Sequence, residues 1–174
     1  NQKYKIVTIK NVQDGYFVPE KNNTISIKPN NINPNQILSS GDYIMSLTGN
    51  VGRVCLVYGK DYLLNQRVVK IEPKKLIDYS FVYATFGNIN TLRLLENISY
   101  GTAQQNLSTV NIEKIKMPIP NEELREKFNN KIKPNIDLII NLYLQNILLK
   151  EARDIILPRL MTGVINTEKM DIAI

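Results

Sequence analysis

Three short clusters of amides, arginines and glycines hold most of the chemistry this sequence offers: Asn50 with Arg53, Asn65-Gln66-Arg67, and the run Ser99-Tyr100-Gly101-Thr102-Ala103-Gln104-Gln105-Asn106-Leu107-Ser108. An amide side chain can pair with adenine through N6 and N7, and a guanidinium can do the same with guanine through O6 and N7. Glycines and hydroxyls let a backbone approach phosphates, while lysine and arginine hold the register along a duplex. The same residues have a plainer reading. Asn and Gly are ordinary in tight turns, and Asn106 ahead of Leu107-Ser108 would then cap a short helix over 109–114. Residue types alone leave both readings open.

Catalytic chemistry has little to work with. The sequence holds no histidine, so imidazole acid–base catalysis and histidine-based metal sites are excluded. Its one cysteine, Cys55, makes neither a zinc cluster nor an internal disulfide, and lies in an apolar run that reads as core. No phosphate-binding GxxxxGK[ST] loop occurs, and Thr85-Phe86-Gly87-Asn88 is too short for a nucleotide fingerprint. The best enzyme candidate is a magnesium site for phosphodiester cleavage built from Asp61, Glu72 and Lys74. Pro73 interrupts that set where a strand should still be regular, and surface charge is the better reading of it. The expectation is a protein with no catalytic residue, no metal and no cofactor of its own.

The elements that must position these clusters divide in two. Over 1–120 the sequence reads as strands and turns. Strands are expected over 5–10, stopped by Asp14-Gly15, then over 24–27, 43–47, 53–57 and 68–71, with a loop at 30–35 and a tight turn at Gly49-Asn50-Val51-Gly52. Short helices are expected over 80–86 and 90–97. This is the spacing of a small, irregular β-barrel-like domain, and the fold class is α+β.

At Pro118-Ile119-Pro120 the composition changes, and residues 121–174 read as a helical arm. Asn121 suits an N-cap, with Glu122 and Glu123 in the first turn. Helix is expected to about Lys133, to break or kink at Pro134, and to resume to about Leu157 before Pro158. Leu138, Leu142, Gln145, Leu149, Ala152 and Ile156 fall at alternating steps of four and three, the seam of a coiled coil with one polar position. Ile132, Ile136, Ile140, Tyr143 and Ile147 form a second apolar set. Two apolar faces call for two covers, the arm's own domain and a partner helix. A helix packed wholly on its own domain is the alternative.

The net charge of +6 sits entirely in the first part: residues 1–120 carry 14 Lys and Arg against 8 Asp and Glu, and residues 121–174 carry 8 of each. A polyanion would therefore meet the first part, although a surplus of this size also serves solubility. No stretch reaches the roughly 20 apolar residues of a membrane span. The single cysteine fits a cytoplasmic location, and the absence of an initial Met and of a secretory pattern suggests a fragment.

Several motifs, taken in order, resemble one family. Gly41-Asp42-Tyr43-Ile44-Met45-Ser46-Leu47-Thr48-Gly49-Asn50-Val51-Gly52-Arg53, Leu64-Asn65-Gln66-Arg67-Val68, Gly101-Thr102-Ala103-Gln104-Gln105-Asn106-Leu107-Ser108 and Pro118-Ile119-Pro120 are similar to the target-recognition domain of type I restriction–modification specificity subunits. The close, Arg153-Asp154-Ile155-Ile156-Leu157-Pro158-Arg159-Leu160-Met161-Thr162-Gly163-Val164-Ile165, resembles the end of those subunits. The chain resembles their C-terminal half, or a half-length subunit cut at its start.

The resemblance implies that 1–120 reads one half of a bipartite site on double-stranded DNA. It implies that the arm pairs antiparallel with its counterpart from the other half, setting the spacing between half-sites, and docks methyltransferase subunits and, through them, the restriction subunit. Adenine methylation and ATP-driven cleavage would belong to those partners. A motif shared by members with different targets cannot itself encode the target. Base readout is therefore expected from Lys21, Asn22, Asn23, Thr24, Asn31 and neighbouring loop residues, and from Gln105. Gly101, Thr102, Gln104, Asn106, Leu107 and Ser108 match such a shared motif, expected to support the fold, contact phosphate or serve the methylase, and Asn50, Arg53, Gln66 and Arg67 join Thr102 and Gln104 as candidate DNA-binding residues. Two other readings stay open: the recognition end of a single-chain restriction–methylation enzyme, and a coiled-coil assembly protein with no DNA role.

Overall fold

The computed structural model describes residues 4–19, 23–99 and 106–165. The described strands are β1 (Tyr4–Val7), β2 (Asn23–Ile25), β3 (Ile37–Leu38), β4 (Tyr43–Ser46), β5 (Val54–Leu56), β6 (Tyr62–Leu64) and β7 (Val68–Ile71). The helices are α1 (Tyr79–Phe86), α2 (Ile89–Ser99), α3 (Thr109–Glu113) and α4 (Glu122–Met161). One sheet has the order β2-β1-β6-β3, with β1 and β6 parallel, and the other is the antiparallel set β5-β4-β7.

The α+β class is as expected, but the described strands form two open sheets rather than one closed barrel. Strands of two to four residues are too short to wrap a barrel through a continuous ladder. β1 stops at Val7, earlier than its β-branched run suggested, because Asn11 folds the chain back. Its Oδ1 accepts from the Thr8 backbone N–H at 2.8 Å, and its own N–H reaches the Thr8 carbonyl at 2.9 Å. β3 and β6 are short apolar segments without alternation, the pattern least legible as strand.

The core lies between the sheets and α2. All four β4 residues are buried, and Phe17 stands edge-on to Tyr58 and Tyr62 with ring centroids 5.4 and 5.1 Å away. Cys55 is buried among these strands, and burial pushes its thiol pKa up to about 12. Among the described residues no helix is long and apolar enough to cross a membrane.

α4 is one continuous helix from Glu122 to Met161, so neither Pro134 nor Pro158 ends it. Asn121 starts it as expected, accepting from the Leu124 N–H at 2.9 Å. A proline removes one backbone bond, and around Pro134 other contacts hold the turn. Lys133 pairs with Asp137 at 2.5 Å across it, and Ile136 and Ile140 are buried just beyond it. The chain divides into two compact units, with the boundary between Ile140 and Asn141.

Candidate nucleic-acid interface

Three of the sequence motifs meet around one residue, Leu47, at the end of β4. Its N–H donates to the Arg67 carbonyl at 2.9 Å, and its carbonyl accepts from the Leu107 N–H at 2.8 Å. Thr48 and Asn106 extend this contact as an antiparallel bridge. Leu107 is 1% exposed and seats this contact in the core.

Each turn is built to hold its polar residues outward. Between β4 and β5, Gly49 and Gly52 take positive φ of 72° and 77°, a conformation costly for other residues. A Cβ on Gly52 would also stand 3.1 Å from Leu92 and Leu95 of α2. The Ser46 hydroxyl donates to the Asn50 carbonyl and fastens the turn from inside. Between β6 and β7, Asn65 Oδ1 accepts from the Arg67 N–H at 3.1 Å, and the Val68 N–H closes on the Asn65 carbonyl at 3.0 Å. Asn50, Gln66 and Arg67 are left exposed on these two turns, and the bridge residue Asn106 is exposed as well.

The structure sorts the residues singled out from the sequence. Asn50, Gln66 and Arg67 come together. Arg53 is half-buried and donates to Gln13 Oε1 at 3.4 Å, so part of its donor capacity is turned inward. Asn23 and Thr24 are exposed on β2, the edge of the other sheet, opposite Ile6 and Lys5. Asn31 is exposed in a turn ahead of the 3-10 helix Pro34–Gln36. Lys21, Asn22, Thr102, Gln104 and Gln105 lie outside the described residues.

Asn106 does not cap α3, whose N-cap position is Ser108. It pairs with Thr48 instead, a role the sequence signalled only through Leu107, an apolar anchor directly after a run of amides. Of the set Asp61, Glu72 and Lys74, Glu72 is bound by Lys70 at 2.6 Å, and the same ammonium reaches Asp42 at 3.2 Å. Partial burial works against the charge on Lys70, but these two carboxylates outweigh it and raise the Lys70 pKa.

The other end of β4 meets α4. A Cβ on Gly41 would lie 3.6 Å from Ile140 Cδ1, and the Tyr79 hydroxyl donates to the Gly41 carbonyl. Six residue steps of extended chain separate Gly41 from Leu47, roughly 20 Å. The polar turns and the helix-docking face thus occupy opposite ends of one buried strand.

Residues 1–141 match the family model of the type I restriction modification DNA specificity domain. The chain belongs to this family. A curated relative, the type I restriction enzyme HindI specificity subunit of Haemophilus influenzae, is 25% identical over 160 residues, which cover 91% of this chain and 35% of that protein. A solved structure described by the complex assembly and conformational transition of the type I R-M system contains a similar chain. The TM-score is 0.50 at 12% identity, over 90% of this chain and 37% of the other. That likeness concerns the fold. The specificity-domain chain therefore spans about a third of the length of each of these two.

Proposed function

We propose that this chain is the DNA-reading part of a type I restriction–modification specificity subunit, recognising one half of a bipartite duplex target without catalysing a reaction itself. The observation that carries the reading is the convergence at Leu47. Two turns bearing Asn50, Gln66 and Arg67 and the bridge residue Asn106 are tied together by backbone bonds at the end of a specificity domain with a net positive charge. Motif residues on those turns hold the duplex backbone. Discrimination between targets falls to residues outside the motifs: Asn23 and Thr24 on β2, Asn31, and the neighbouring Lys21 and Asn22.

Residues 1–120 form the recognition domain in this reading, and 121–174 the assembly arm. The arm's seam, Leu138, Leu142, Gln145, Leu149, Ala152 and Ile156, is exposed at every position, while Ile136 and Ile140 on the other face are buried. That division suits a coiled coil with a counterpart helix, and docking of methyltransferase subunits and through them the restriction subunit, in the cytoplasm. Methylation and cleavage are the work of those partners.

Mapping DNA methylation in cells with and without the parent gene tests the proposal. A two-part motif that loses its methylation when the gene is removed is the expected result. An unchanged methylation pattern would refute it.

A further inference from the structure

Between β1 and β2 the chain folds into a small hairpin that is shaped from inside. Asn11 is fully buried, its Nδ2 donates to the Val18 carbonyl at 2.8 Å, and the Val18 N–H returns to the Asn11 carbonyl at 2.9 Å. Val12 and Phe17 face each other across an antiparallel bridge, each 1% exposed. The hairpin is also fastened sideways to β5, where the Gly15 N–H donates to the Val54 carbonyl at 3.1 Å. With the buried pair below and β5 beside it, this hairpin is a fixed frame rather than a free loop.

Gln13 stands on that frame with both ends of its amide in use. Its backbone N–H meets the Tyr16 carbonyl at 3.1 Å, its Nε2 donates to the Lys10 carbonyl at 3.0 Å, and its Oε1 accepts from Arg53 Nη1 at 3.4 Å. The amide has one workable orientation, because a flip would set its NH2 against a guanidinium and its oxygen against a carbonyl. At 3.4 Å the bond to Arg53 is long, a guide for the guanidinium rather than a lock. Arg53 follows the turn that carries exposed Asn50, and its own carbonyl accepts from the Ser46 N–H at 2.9 Å, one residue from Leu47. Among the described residues its side chain has no other hydrogen bond or ion pair. The guanidinium edge formed by Nε and Nη2, with its parallel donors, is therefore uncommitted.

We propose that Gln13 is a positioning residue that aims the fork of Arg53 at a guanine of the half-site. A guanidinium edge matches guanine O6 and N7 bidentately, and that match depends on the plane of the fork. A freely rotating arginine gives up rotamer freedom on meeting a base, whereas one already guided by an acceptor gives up less. Arg53 closes a shared motif, and a shared motif does not encode a particular target. Gln13 lies outside the motifs, so the target is written in the residue that aims the arginine rather than in the arginine itself. A phosphate contact would need no such guide, because a phosphate accepts charge from many directions.

This inference rests on the proposed function. Its test uses the complete assembly purified from its own host and duplexes carrying the half-site that methylation mapping defines. Each guanine of that half-site is replaced in turn by 7-deazaguanine, which pairs with cytosine as guanine does but lacks the N7 acceptor. Anisotropy at fixed salt reads the affinity. In the wild type, one replacement is expected to cost roughly tenfold, the scale of one bidentate base contact. The same replacement should cost nothing further in Arg53→Ala and only about twofold in Gln13→Ala, where the fork is present but unguided. Gln13→Glu keeps an acceptor for Arg53 and should retain the full sensitivity. A wild-type half-site in which no guanine is sensitive overturns the proposal without any variant, as does a sensitivity that Gln13→Ala leaves intact. An Arg53→Ala loss that is equal for guanine and 7-deazaguanine, with a salt slope shallower by about 0.9, would put Arg53 on a phosphate and overturn it too. Wild-type assembly with no half-site preference would instead remove the proposed function, and this inference with it.

Discussion

Arg67 combines an exposed guanidinium with a backbone fixed on both sides, by Asn65 Oδ1 at its N–H and by Leu47 at its carbonyl. Immobilising the backbone lowers the ordering cost when the side chain meets a phosphate, so this residue is better placed for backbone contact than a lysine on a free loop. Arg67→Ala should weaken duplex binding to a similar degree for every sequence. It should also make the slope of log affinity against log salt shallower by about 0.9, the contribution of one neutralised phosphate. Fluorescence anisotropy across a salt series checks this, and a loss confined to one target would instead make Arg67 a base reader. The residue types on these turns were legible in the sequence, and so was the chemistry open to them. Their meeting place was not. Leu47, Arg67 and Leu107 join through backbone atoms, and hydrogen bonds between distant loops leave no periodic trace in residue type. Asn106 shows the consequence, since its local surroundings suggest a cap and its partner is Thr48.

At the level of elements, α4 carries the clearest lesson about local rules. Pro134 and Pro158 each imply a break, because each removes a backbone bond and crowds the preceding turn. The helix runs through both. Around Pro134, Lys133 and Asp137 bridge the turn, and the burial of Ile136 and Ile140 fixes the residues that follow. Tertiary packing overrides a local propensity here, and the two buried residues, Ile136 and Ile140, belong to the second apolar set read from the sequence. Pro134 is itself exposed, so it can be replaced without touching the core. Pro134→Ala should raise the unfolding free energy by about 1–3 kcal/mol, by restoring a backbone bond at a position of high helix propensity. Urea denaturation followed by circular dichroism measures it. A variant no more stable than the parent would show that the proline is already accommodated at no cost.

The whole molecule separates two kinds of surface. Positive surplus lies in residues 1–120, while residues 121–174 are neutral and the described part of the arm exposes Leu142, Leu148, Leu149, Ile156 and Met161. Charge draws a polyanion from a distance and is screened by salt, whereas apolar area acts only on contact and is far less sensitive to salt. Two binding events on one chain should therefore respond differently to the same solvent. Replacing Leu142 and Leu149 with Glu puts like charges into the seam and should abolish association with a partner helix. Both residues are already exposed in the monomer, so its stability should change by no more than about 0.5 kcal/mol. Sedimentation velocity reads the association, and anisotropy reads duplex binding by the monomeric variant. The expected result is lost association with retained, salt-dependent binding to DNA. If duplex binding disappears along with association, then recognition requires two copies of the reading unit, and the charge surplus of one is too small to hold a duplex alone.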